Sequence, residues 1–116
     1  MQIDNVKIEV YVPASHLNEV MEAMSEAKAG EVGCYQKVTS SMPVQGTWMP
    51  VEGADPYDGE MNVLNHGLEY KLEMRCAYTQ LSDVVQAIRM HHPYEEPLIN
   101  LIPLLNEHAL GSYHME

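Results

Sequence analysis

Seven consecutive residues, His91-His92-Pro93-Tyr94-Glu95-Glu96-Pro97, bring together two imidazoles, a phenol and two carboxylates. Imidazole and carboxylate form the borderline donor set that zinc, nickel, copper(II) or iron(II) accepts. His91 or His92, with Glu95 or Glu96 and a residue of a neighbouring copy to complete the set, are therefore the candidate ligands for a divalent transition metal at a subunit cleft. His92, Tyr94, Glu95 and Glu96, joined by the lone Trp48, are the candidates for binding a small ligand. The spacing is less specific than the two histidines of HExxH on a helix. A Glu–His pair also suits general acid–base work, but the chain has no nucleophile-elbow serine, no P-loop and no GxGxxG. No catalytic residue is assigned, and a small metal-dependent enzyme ranks last among the readings.

The same residues have a structural use. An imidazole at a helix C-terminus interacts well with the negative end of the dipole and can bond a last-turn carbonyl. Tyr94 would pack its ring, and Glu95 or Glu96 would cap backbone or pair with Lys71 or Arg75. Each proline fixes its own φ and biases the residue before it toward extended backbone. The motif must therefore end one helix and lead into a strand.

The elements around it follow from periodicity. Val6, Ile8, Val10 and Val12 alternate with Lys7, Glu9 and Tyr11, the pattern of a half-buried strand ended by Pro13. Ser15 is placed to cap a helix carrying Leu17, Val20, Met21 and Met24, with Gly30 suited to the left-handed stop. Residues 31–39 read as a second strand containing Gly33. The span 40–66 is the least regular, with Pro43, Gly46, Pro50, Gly53, Pro56 and Gly59; within it Gly46 to Pro50 reads as a short strand. The four carboxylates of Glu52 to Glu60 do not match the EF-hand spacing. Leu68 to Cys76 alternate as the clearest strand. A second helix starts at Thr79 or Gln80, with Leu81, Val84, Val85 and Ile88 on its apolar stripe, and runs into His91. Leu98 to Leu104 make the last strand, and the tail 105–116 has no periodicity.

This βαββαβ order predicts one α+β domain over residues 1–116 with its core at about 6–104. The architecture is a ferredoxin-like sandwich: a four-stranded antiparallel sheet, two helices on one face, and an extended Gly/Pro-rich loop at 40–66. The other sheet face would need covering by the loop or by another copy, which predicts a homo-oligomer.

Composition narrows the partners. A charge of −11 from 6 basic and 17 acidic residues cannot supply the basic face that phosphate backbones demand, so nucleic acid and anionic membranes are excluded as partners. No apolar run is long enough to span a bilayer and the N-terminus lacks signal-peptide character, which predicts a cytoplasmic protein. Cys34 and Cys76, outside any CxxC pair, are expected as reduced core residues.

Several segments together resemble a known family. Lys7 to Pro13 (KIEVYVP), Ala29 to Tyr35 (AGEVGCY), Gly46 to Pro50 (GTWMP), Gly53 to Glu60 (GADPYDGE), Leu68 to Glu73, and His92 to Pro97 (HPYEEP) followed by Pro103-Leu104 occur in this order. They are similar to the insert domain of the NIF-three-like, dinuclear-metal family, the GTP cyclohydrolase type 2 homologues. The motif also resembles, more distantly, the His-Pro-Tyr-Glu-x-Pro segment of CutA proteins. Both resemblances imply a PII-like, CutA-like fold and self-assembly, with a trimer favoured over a dimer. In the dinuclear-metal family the metal ligands belong to flanking halves that have no counterpart here, so neither the two-metal centre nor its hydrolase activity is implied. The expectation is a non-catalytic oligomeric module, stand-alone, that binds a metal ion, a small ligand or a protein partner near residues 91–97. The alternative is a purely structural or interaction module in which the motif only fixes the last strand.

Overall fold

A computed structural model describes residues 2–105 of the chain; the expected tail from 106 onward lies outside the described residues. Four strands, β1 (Asn5–Val12), β2 (Ser40–Trp48), β3 (Asn65–Ala77) and β4 (Ile99–Leu104), and two helices, α1 (Leu17–Glu26) and α2 (Leu81–His91), follow in the order β1-α1-β2-β3-α2-β4. The sheet is antiparallel throughout with strand order β2-β3-β1-β4. The expected α+β ferredoxin-like sandwich is what forms. Ile8, Val10 and Val12 of β1, Leu72 and Met74 of β3, Val20 and Met24 of α1, and Val84 and Ile88 of α2 make one buried core. Among the described residues, no helix is long and apolar enough to cross a membrane.

Both helices start differently from the expectation. Pro13 opens a 3-10 turn at Ala14–His16 that feeds α1, and a second one, Tyr78–Gln80, feeds α2. The turn carbonyls of Ala14 and Tyr78 accept the N–H groups of Leu17 and Leu81, so neither helix has a side-chain cap. Ser15 is thus not a cap; its hydroxyl lies 2.8 Å from His16 Nδ1. The left-handed stop of α1 is Lys28 (φ 82); Gly30 is also left-handed (φ 79) but lies two residues beyond it. The Lys28 N–H bonds the Ser25 carbonyl at 3.0 Å and the Ala29 N–H bonds that of Met24 at 3.0 Å, the Schellman arrangement. Gly30 serves a close approach instead: a Cβ there would stand 2.6 Å from Met74 Cε and 3.1 Å from the Val38 backbone.

Residues 31–39 are not a strand. The chain reverses at Gly33 (φ 57), where Val32 and Tyr35 exchange both backbone bonds at 2.9 Å, a tight turn that glycine permits. Cys34 is consequently exposed, while Cys76 is buried and its thiol is pushed up by burial. The second strand lies instead at Ser40–Trp48, inside the span expected to be irregular; it takes in Gly46–Trp48 of the short strand expected at Gly46 to Pro50 and begins six residues earlier. Pro43 and Gly46 hide it in the sequence, yet both are tolerated because β2 is an outer strand. Pro103 occupies the other outer strand, β4, for the same reason.

The sheet face away from the helices is ionic at its centre. Glu9 of β1, only 8% exposed, lies 3.3 Å from both Lys7 and Lys71, and Lys71 lies 3.1 Å from Glu73. Burial pushes the Glu9 carboxyl up, but its bonds to Lys7 and Lys71 outweigh this and leave it below the usual carboxylate range. That centre needs no apolar cover; exposed Met42 and Ile102 flank it on the two outer strands.

Candidate functional site

Pro93 ends α2 at His91, and His92 turns to extended backbone (φ −85, ψ 135), as expected of a residue before proline. From there the motif crosses the end of β1. The Tyr94 N–H donates to His92 Nδ1 at 3.1 Å, so the ring proton must sit on Nε2, which donates to the Tyr11 carbonyl at 2.6 Å. Both nitrogens of His92 are thereby engaged. Burial pushes this imidazole below its ordinary pKa, as does nearby His16; the Tyr11 bond and Glu69 oppose the shift without reversing it. The ring is 8% exposed and stacks at a tilt on Tyr94, with centroids 4.7 Å apart.

Tyr94 passes the linkage onward. Its hydroxyl donates to Glu69 Oε2 of β3 at 3.0 Å, and burial, together with that carboxylate, pushes the phenol well above its ordinary range. Glu95 reaches the Gly/Pro-rich loop, where its Oε1 accepts the Asp55 N–H at 3.0 Å. His91 points elsewhere and pairs with Glu19 of α1 at 3.0 Å. Lys71 pairs with Glu9 and Glu73 rather than with the motif.

The loop between β2 and β3 is tied down from within. Asn65 accepts the Glu60 N–H and donates to the Glu60 and Val63 carbonyls, all near 3 Å. The Asn62 N–H bonds the Pro50 carbonyl at 2.7 Å. The Trp48 indole N–H donates to the Asp58 carbonyl at 3.0 Å, and its ring lies against Gly67, where a Cβ would stand 3.0 Å from the indole.

Motif and loop enclose an open cleft of about 450 Å³, within the range of small-molecule sites. Tyr11, Trp48, Tyr57 and Tyr94 supply its aromatic walls, and Asp58, Glu69, Glu95 and Glu96 its carboxylates. Of the sequence-derived ligand candidates, Trp48, Tyr94, Glu95 and Glu96 meet in this cleft; His92 stands behind Tyr94 and does not line it. Glu69, Tyr11 and Tyr57 were not singled out in the sequence. Glu69 and Tyr11 read there only as outward positions of strands, and no local pattern marks them.

The four candidate metal ligands are not gathered. Among the described residues, no group of three or more His, Cys, Asp and Glu side chains is placed to hold a metal ion. Two of the four, His91 and Glu95, face different elements, Glu19 of α1 and the loop at Asp55.

The sequence is 40% identical over 101 residues to the GTP cyclohydrolase 1 type 2 homolog of Halalkalibacterium halodurans, a match spanning 87% of this chain and 27% of that protein. The fold superposes on a Bacillus cereus protein related to NIF3 with a TM-score of 0.79 and 32% identity, over 90% of this chain and 26% of that one. CutA from Archaeoglobus fulgidus, a periplasmic divalent cation tolerance protein, aligns with a TM-score of 0.64 and 14% identity, over 88% of this chain and 85% of that one. At such identity the likeness is one of fold. No protein-family model matches the sequence. The chain spans about a quarter of the length of the curated relatives it matches. By sequence and fold together, it is a relative of the NIF3-related GTP cyclohydrolase 1 type 2 homologues, matching a CutA-like segment within them.

Proposed function

We propose that the chain is a non-catalytic, self-associating CutA-like module that takes up a small ligand in the cleft beside the motif. One observation carries the reading: four of the motif's five polar side chains, those of His91, His92, Tyr94 and Glu95, already hold neighbouring elements in place. The motif builds the walls of a cleft and leaves the cleft open. A group whose protons and lone pairs are committed in this way is poorly suited to general acid–base work, which needs a proton within reach of a substrate.

The Archaeoglobus fulgidus CutA that shares the fold is named for divalent cation tolerance, but a metal at His91, His92, Glu95 and Glu96 fits this arrangement badly. Binding through His92 would break either its bond to Tyr11 or the one from Tyr94. Self-association has separate support. β3 outruns β1, because residues 65–69 pair only with β2, and the arm carries Leu68 at 64% exposure. An arm of two strands is marginal by itself, and a second copy would complete it.

Fluorescence of the single tryptophan, Trp48, tests the ligand reading. Saturable changes on titration with small molecules, abolished in variants of the cleft wall such as Tyr57→Ala, support it. If no compound gives a saturable change while substitutions in 91–97 only lower the melting temperature, the motif is purely structural.

A further inference from the structure

Resting on the reading of the cleft as a ligand site, we infer that its ligand is a small organic cation: an aliphatic chain ending in a protonated amine. The walls combine aromatic faces with carboxylates, and among the described residues no lysine, arginine or histidine lines the cleft. Lys7 and Lys71, on the same sheet face, are both taken up by Glu9 and Glu73: Lys71 at 3.3 and 3.1 Å, Lys7 at 3.3 and 3.8 Å. An anion entering here would meet only like charge, and a neutral molecule would leave the carboxylates without a counter-charge.

The arrangement also discriminates between kinds of cation. A hard metal ion asks for six or more oxygens at short range, and no suitable group exists among the described residues. Two of the carboxylates are half-committed: Glu69 to the Tyr94 hydroxyl and Glu95 to the Asp55 N–H, each through one oxygen. Each retains a second oxygen, which suits an ammonium with a few donors better than a bare ion. The indole and phenol faces attract an organic cation through their quadrupoles. Tyr57 and Tyr94, with centroids 6.0 Å apart at a 48° tilt, form two sides of such a surface. Met49, Val51 and Leu98 offer the apolar floor for the aliphatic part.

The test compares three probes of one shape, hexylammonium, 1-hexanol and hexanoate, by Trp48 fluorescence at constant physiological ionic strength. Salt suppresses diffuse attraction to the −11 charge. Hexylammonium is expected to saturate at one site, at least about tenfold tighter than hexanol, with hexanoate not binding. Glu69→Gln keeps an acceptor for the Tyr94 hydroxyl and removes the charge; it is expected to weaken hexylammonium by about threefold or more, with the melting temperature kept. Asp58→Asn provides a second variant should Glu69→Gln fail to fold. Equal binding of hexanol and hexylammonium, or of hexylammonium to parent and both variants, overturns the cation inference and leaves the ligand cleft standing. No saturable binding by any of the three probes overturns the cation inference, and the ligand reading falls with it only if no other compound gives a saturable change.

Discussion

The Nε2–H of His92 donates to the Tyr11 carbonyl across 2.6 Å, joining the end of α2 to the end of β1. Beside it, the Tyr11 N–H bonds the Leu98 carbonyl at 3.4 Å, so the same residue holds the start of β4. One imidazole thus closes the sheet where its last strand enters. Replacing it with alanine leaves the Tyr11 carbonyl and the Tyr94 N–H without partners. Unsatisfied groups of this kind cost about 1–3 kcal/mol each. His92→Ala is expected to lose about 2–4 kcal/mol in urea unfolding, while Glu96→Gln, on the same loop, stays within about 0.5 kcal/mol.

The same imidazole sets a pH dependence. Its folded pKa lies below the unfolded value of 6.5, chiefly through burial. The unfolded chain therefore binds the proton first, and the stabilisation is complete above pH 6.5 and declines as the pH falls from there toward the folded pKa. Unfolding free energy measured from pH 7.5 to 5 should fall on the acid side. In His92→Gln that component should vanish.

Two loop glycines make a matched pair. A Cβ on Gly59 would stand 2.5 Å from the Trp48 indole nitrogen, at φ 106, whereas Gly53, at φ 98, has nothing within 4 Å. Gly53→Ala should cost only the left-handed backbone, about 1–2 kcal/mol. Gly59→Ala adds the clash, about 1–3 kcal/mol more, and should shift Trp48 emission. Equal costs with unchanged emission would mean that Trp48 does not pack under this loop.

The two-stranded arm beyond β1 bears on assembly. Light scattering is expected to report an oligomer, a trimer rather than a dimer, and Leu68→Lys on the exposed arm should dissociate it. A monomeric parent would remove self-association from the account.

Much of the fold was legible because its core strands announce themselves. β1 and the Leu68–Cys76 part of β3 alternate strictly, and both helices carry apolar stripes. β2 was obscured because Pro43 and Gly46 are breakers in a central strand but acceptable in an outer one. Strand position in a sheet is a tertiary fact that local sequence does not state. Residues 31–39 misled for the opposite reason: Val32, Cys34 and Val38 carry strand propensity, but Gly33 and Lys37 adopt positive φ and reverse the chain. In the site, Trp48 and the motif stood out by composition. Glu69 and Tyr11 join them only through strand register, which pairs Tyr11 with Lys71 and places Glu69 one step along the same face.

On the proposed reading, His92 is a clamp that shapes the cleft instead of a ligand that occupies it. Nitrogen NMR of the imidazole, recorded between pH 5 and 8 with and without added zinc, measures this directly. The expected spectrum shows a neutral ring protonated at Nε2, a midpoint below 6.5, and no change on adding zinc. A proton on Nδ1, a midpoint at or above 6.5, or a zinc-induced shift of either nitrogen would contradict it.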